Sequence, residues 1–469
     1  MNRTVFLLLL GIAIVPAGCA PAPKYTRPQA PVAAGWPAGA ASGEAKAAPD
    51  VPTASELTWQ EFFTDEKLRQ VIEMALKNSR DLRMATLNIE KVQALYRIQR
   101  AEQYPTIVAS ASGDAYRVPR TLSGAADNET VAQYTVGLGM AAWELDLFGR
   151  IRSLKSRALE QYMATEQARS ATQISLVAAV ANSYLALAAD RENLRLAQVT
   201  LDAQQASYEL ILRTRELGIA SDLELRQAQS QVDAARVDIA RYSGQVALDE
   251  NALNLLVGTP VSAGMLSNDL GKIADLKDVA PGLPSEALLR RPDILLAEHQ
   301  LKAASANIGA ARAAFFPRIA LTAAAGIVSS DLTNLFKPAA GTWRFAPQVA
   351  LPIFDSGARQ ANLKAAQVDR DIAIAEYEKA IQAAFREVSD ALSLRATLVA
   401  QQDALQSLVT SLDETYRLSE ARYKGGIDSY LSVLVAQRSL YGAQQQLVGV
   451  RLARLSNLVT LYKVLGGGA

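Results

Sequence analysis

Reactive side chains are scarce in this chain, and that scarcity limits the chemistry open to it. Cys19 is the single cysteine and His299 the single histidine. This removes intrachain disulfides, Cys metal clusters, His-based metal sites and most of the usual acid–base constellations. An isolated His within a helical stretch is far more often structural than catalytic, because acid–base work needs partners. Lys and Arg number 48 against 47 acidic residues, so no strong field would draw a polyanion and nucleic acid is not an expected partner. What remains is one thiol near the N-terminus and a set of polar and apolar side chains around two sharp turns.

The surroundings of Cys19 give it a role. Asn2 and Arg3 precede an apolar run from Val5 to Val15, followed by Pro16-Ala17-Gly18. A charged start, a short hydrophobic region and small residues make a secretory signal, too short to be a stable membrane span. Ala17-Gly18-Cys19 resembles the bacterial lipobox, with Pro16 where Leu is usual. That resemblance implies removal of residues 1–18 and a diacylglycerol and N-acyl chain, such as palmitate, on Cys19. Ala20, in place of an Asp, implies sorting to the outer membrane. Each buried methylene contributes about 0.8 kcal/mol, so several acyl chains hold firmly. Residues 19–58 read as an extended tether, with Pro21, Pro23, Pro28, Pro31 and Pro37 spaced along its Ala-rich first part.

Two runs free of Gly and Pro, Arg150 to Leu217 and Ala358 to Lys424, organise the rest. Gly and Pro are the poorest helix formers, so their absence predicts two very long helices. In the second run Ile374, Tyr377, Ile381, Ala384, Val388 and Ala391 alternate in steps of three and four, and Leu398, Leu405, Leu408 and Leu412 carry the phase onward. This is a coiled-coil seam.

The landmarks recur. Pro105 and Pro317 each stop a helix, 212 residues apart, while Gly218-Ile219 and Gly426-Ile427 lie 208 apart. Such constancy is an internal repeat. Residues 59–257 form the first copy and 285–465 the second, each helix, strand, strand, long helix, turn, helix. Residues 258–284, rich in Gly, Pro and Asp, form an irregular linker, and 466–469 a tail. Gly244 marks a bend in the helix after Gly218.

After each helix-stopping Pro the period changes from 3.6 to 2. Tyr134, Val136, Leu138 and Met140 alternate with Thr135, Gly137, Gly139 and Ala141, and Trp343, Phe345, Pro347, Val349 and Leu351 with Arg344, Ala346, Gln348 and Ala350. Thr106 to Tyr116 and Arg318 to Val328 supply partners. Strands of about 10 to 12 residues cross a bilayer when tilted. A small sheet in a soluble domain would share the alternation, but one strand face without charge and a lipid-type address favour a membrane barrel. Four strands cannot close a pore, so several copies must share one barrel, and three would give twelve strands.

Trp143-Glu144-Leu145-Asp146-Leu147-Phe148-Gly149, Arg290-Arg291-Pro292-Asp293 and Ala436-Gln437-Arg438-Ser439-Leu440, with the duplication, resemble the TolC-like outer-membrane factor family and its NodT-type lipoprotein branch. The resemblance implies a mostly helical homotrimer whose long hairpins form an α-barrel tunnel, with four strands per protomer in a shared 12-stranded β-barrel. It implies a channel without cofactor or enzymatic activity, anchored in outer-membrane lipid and reaching into the periplasm. There it would meet a periplasmic adaptor and an inner-membrane pump of the resistance-nodulation-division type, and pass small molecules, drugs among them. The turns containing Gly218, Ile219 and Ser221, and Gly425, Gly426, Asp428 and Ser429, would be the adaptor-contact tips, Gly allowing positive φ and Ser capping the next helix. Relatives close the bore with rings of Leu, acid and Arg. Leu431 and Arg438 match, and Val435 stands at the acidic position. Such an apolar ring would constrict by dewetting. Asp222, Glu224 and Arg226 are the alternative polar lining. A periplasmic adaptor or coiled-coil spacer lipoprotein is the rival reading, though such proteins usually have one hairpin, not two.

Cys19→Ser should abolish incorporation of radiolabelled palmitate in growing cells; label retained by the variant would exclude acylation at this thiol.

Overall fold

The computed structural model describes residues 22–33, 35–36, 52–54, 56–124, 128–273, 276–280 and 288–468. Cys19, the leader assigned to 1–18 and the final residue of the tail lie outside them. After a helical turn at Trp59–Phe62, the chain runs through α1 (Glu66–Asn78), α2 (Arg80–Ala101), β1 (Ile107–Val118), β2 (Glu129–Glu144), α3 (Arg150–Glu216) and α4 (Asp222–Val257). It then repeats α2 to α4 as α5 (Pro292–Ala313), β3 (Arg318–Ser329), β4 (Gly341–Ala350), α6 (Ala358–Lys424) and α7 (Tyr430–Val464). Both Gly- and Pro-free runs are single helices of 67 residues. α4 passes through Gly244 without interruption, since one interior Gly costs only about 1 kcal/mol against the packing of a long helix.

Two compact units cut across the repeats, because each repeat gives its strands and the first turns of its long helix to one and the rest of its hairpin to the other. The first comprises Met1–Pro28, Ile89–Thr165 and Ala297–Tyr377, the second Gln29–Asn88, Glu166–Leu296 and Glu378–Ala469. The first contains one antiparallel sheet in the order β1-β2-β3-β4. β2, at 16 residues, exceeds the 10 to 12 expected. Its register with β3 shifts between Met140 and Trp143, where Ala142 takes φ 48° and donates its N–H to Thr322 Oγ1 at 3.2 Å. This bulge bends the strand at its lower end. Along α5 of the same unit, buried Glu298 accepts from Tyr25 Oη at 3.0 Å and Arg27 Nη2 at 2.8 Å and pairs with Lys302 at 3.1 Å. Ala22 lies against Gly309, where a Cβ would come within 2.8 Å of it. The tether thus follows one face of α5, as a Pro-rich segment without its own hydrogen bonds must borrow partners.

The second unit holds the helical core. Leu68, Val71, Ile72 and Ala75 of α1 are buried on one stripe and join Val177, Val180, Tyr184 and Leu185 of α3 with Leu253 and Val257 of α4. α3 is long and apolar enough to cross a membrane by composition, yet 56% of this apolar stretch is buried inside the protein. Tyr462 of α7 stacks on Phe62 with centroids 4.0 Å apart and donates to the Leu57 carbonyl at 2.8 Å. Buried Arg291 holds Asp293 at 2.7 Å, Glu387 at 2.8 Å and the Val464 carbonyl at 2.8 Å, joining the start of α5 to α6 and the end of α7. Farther along the tether, Trp36 stacks on Phe385 at 5.1 Å, and Thr53 forms a parallel bridge with Ala280 in the linker.

Gly137 and Gly326 face each other across β2 and β3, and a Cβ on Gly326 would come 2.3 Å from the Val136 carbonyl oxygen. Gly326→Val should therefore separate the strands, costing ~3 kcal/mol and lowering the thermal midpoint followed by β-sheet circular dichroism. Gly341→Ala, with its nearest neighbour 3.8 Å away, should leave the midpoint unchanged.

Candidate functional site

The sheet has two chemically distinct faces. Ile107, Ala109 and Ala111 pair with Met140, Leu138 and Val136. The latter three pair in turn with Ala323, Ala325 and Ile327, and Phe345 and Trp343 continue the row on β4. Residues paired across strands share a face, so these side chains form one apolar surface. Ile107 is 69%, Leu138 58%, Phe345 58% and Trp343 79% exposed. On the other face stand Ser110, Ser112 and Asp114 beside Gly137, Thr135 and Gln133, with Thr342, Arg344 and Gln348 farther across. Asp114 and Arg344 are thus on the polar side, whereas Arg117, near the far end of β1, shares the parity of the apolar row. Among the described residues, β1 and β4 are the free edges of this sheet.

In the helical unit, each long helix reverses by the same device. Gly218 and Gly426 have φ 75° and 71°. Ile219 N–H donates to the Thr214 carbonyl at 2.9 Å, and Ile427 N–H to the Arg422 carbonyl at 3.0 Å. Both are six-to-one closures that satisfy the last helical carbonyls. Ser221 caps α4, its Oγ accepting from Glu224 N–H at 3.2 Å while Glu224 Oε2 accepts from Ser221 N–H at 2.7 Å. Ser429, expected to cap α7 likewise, makes no side-chain cap bond. A different contact closes both turns: Arg215 pairs with Asp222 at 2.9 Å and Arg422 with Asp428 at 2.5 Å. Hydrogen bonding to Arg422 holds the Asp428 carboxyl below its ordinary range. These arginine closures were not singled out in the sequence, although each lies within seven residues of its acid.

The two turns lie together. Ile211, Ala228, Tyr430, Val433 and Leu434 are buried in one cluster, with Tyr208, Tyr416 and Tyr423 against it. Tyr423 and Tyr430 rings are 5.4 Å apart. Ile219 and Ile427 point outward, 77% and 66% exposed, and Gly425 donates its N–H to the Ala421 carbonyl at 3.0 Å.

Just beyond, α7 has two faces. Val433, Leu434, Ala436 and Gln437 are buried, whereas Leu431, Val435 and Arg438 are exposed and, in steps of four and three, share one stripe. Of the alternative polar set, Asp222 is engaged by Arg215 and Glu224 by the Ser221 cap, while Arg226 is exposed. His299 belongs to neither place. Its Nδ1 lies 2.7 Å from Glu160 Oε2, between α5 and α3.

Comparison with known proteins agrees with this arrangement. Residues 71–259 and 283–467 match the model of the outer membrane efflux protein family. The chain is 49% identical to the antibiotic efflux pump outer membrane protein ArpC and to the toluene efflux pump outer membrane protein TtgC, both of Pseudomonas putida, over 99% of this chain and 96% of each relative. Among solved structures, it is similar to the open state of the MtrE outer membrane channel of Neisseria gonorrhoeae, with a TM-score of 0.85, 37% identity, and coverage of 95% of this chain and 98% of that one. The duplicated helix-strand-strand-helix-helix order, the two-faced sheet and these matches place the chain in the outer membrane efflux protein family.

Proposed function

We propose that three copies of this chain assemble into a passive exit duct across the outer membrane, as the outermost component of a tripartite efflux system. The observation that carries this reading is the sheet with two free edges and one exposed apolar face. Four strands leave edge N–H and C=O groups unpaired at several kcal/mol each in hydrocarbon, and pairing β1 with β4 of the next copy satisfies them. Three copies give twelve strands, with Trp343 and Leu138 toward lipid and Asp114 and Arg344 toward a water-filled bore. A spacer remaining in water would leave the apolar row solvated.

The helical hairpins continue the conduit into the periplasm. Their tips present Ile219 and Ile427 beside the closures at Asp222 and Asp428, a mixed apolar and polar surface for a periplasmic adaptor. The adaptor links the duct to an inner-membrane pump of the resistance-nodulation-division type, which supplies the energy. Leu431 and Val435 line the narrowest part of the bore and restrict it by apolar contact, with Arg438 one turn deeper. No cofactor takes part. Acyl chains on Cys19 add a lipid anchor, a reading supported by the tether's course beside α5, which leads directly into the strands. The cargo is small organic molecules of the kinds named for the 49% identical relatives, antibiotics and toluene.

Purified protein should require detergent for extraction, cross-link to a threefold species, and form pores in planar bilayers. Release by alkaline carbonate as a monomer without bilayer current would refute the duct. Leu431→Ala should raise single-channel conductance about twofold by widening an apolar constriction, and an unchanged conductance would remove Leu431 from the gate.

A further inference from the structure

A cavity of about 280 Å³ opens between α6 and α7, where the linker closes one side. Leu276, Leu398, Val399 and Leu458 give it an apolar wall, and Asp278, Arg395, Arg454 and Asn457 supply its polar atoms. Arg395 is committed: it pairs with Asp278 and donates to the Val279 carbonyl at 3.3 Å. Asn457 is committed too, its Nδ2 donating to the Ala391 carbonyl at 3.0 Å. Arg454 differs. It donates Nη1 to neutral Gln402 Oε1 at 3.1 Å and, among the described residues, has no carboxylate partner.

A guanidinium carries five donors in a rigid fork that matches two oxygens of one anion. Here the half-buried fork meets one neutral oxygen and, among the described residues, no carboxylate, beside an apolar wall in a cavity just under the usual size of a small-molecule site. Among the described residues, the charges on its lining sum to a surplus of one cation, two arginines against one aspartate. A neutral ligand would leave that surplus unmatched, and a cation would be repelled.

We propose that this cavity binds a monoanion with a compact apolar body, its carboxylate or sulfonate bridging Arg454 and its body against Leu398 and Leu458. This site is separate from the turns and the gate, and the proposal stands whether or not the duct reading holds. Two sources carry such chemistry: an acyl chain ending in a carboxylate, and the C-terminal carboxylate of a short peptide.

The test uses the full-length protein in neutral detergent, photolabelled with 4-benzoylbenzoate and, in parallel, with its uncharged amide. Peptide mapping should find the carboxylate on segments containing Leu398 or Leu458, with the amide about tenfold weaker because the charge-assisted bonds are lost. Arg454→Leu should reduce carboxylate labelling about tenfold, while Arg454→Lys, which keeps the charge but not the fork, should retain part of it. Asp278→Asn, which frees Arg395, should increase it. Competition by decanoate identifies the acyl source and competition by N-acetylalanine the peptide source; competition by neither overturns the proposal. Equal labelling by acid and amide, or full labelling of an Arg454→Leu protein that retains wild-type circular dichroism, overturns it as well.

Discussion

An unpaired sheet edge beside an exposed apolar face is the constraint on which this molecule turns. In water, the row from Ile107 to Trp343 would expose apolar area at about 25 cal/mol per Å². In hydrocarbon the same row is favourable, but the edges of β1 and β4 then become costly. Only closure of the sheet by further copies satisfies both conditions. The close approach of Gly137 and Gly326 and the bulge at Ala142 are local consequences, since a curved sheet needs bare backbone in places and a bend at its rim.

The helical unit answers a different demand. Long helices need two seams, one for each neighbour, and a single chain can cover only part of them. The stripe expected on α6 is buried at Tyr377, Ile381, Ala384, Val388, Ala391 and Leu398, but Leu408 is 44% exposed. Toward the turns, a single protomer therefore leaves its seam open, and burial there is restored only at the aromatic cluster around Tyr430. Duplication gives both hairpins the same closure, yet the caps differ: Ser221 has Glu224 three residues on, whereas Ser429 is followed at that distance by Ser432 and no reciprocal bond forms.

Ion pairs serve positioning more than stability. Arg291 is buried and meets two carboxylates and a carbonyl, which fixes where α5 begins relative to α6 and the end of α7. Its removal would leave uncompensated acids, so its value lies in registering three elements. Glu298 does the same for the tether, because Tyr25, Arg27 and Lys302 converge on it from two segments.

The order of elements, the long helices, the strand periodicity and the duplication were legible in the amino-acid sequence, because each depends on local composition or on a period within one segment. The seam from Tyr377 to Leu398 and the positive-φ glycines at 218 and 426 belong to this class. Tertiary structure decided the rest. It set the cross-strand register that sorts Asp114 and Arg344 onto one face, the convergence of Tyr208, Tyr416, Tyr423 and Tyr430, the assignment of Asp222 and Glu224 to a closure and a cap, and the pairing of Arg454 with the neutral Gln402. Each of these joins side chains distant along the chain or chooses among several neighbouring acids and donors. Such choices are settled by three-dimensional proximity and desolvation, and no linear period encodes them.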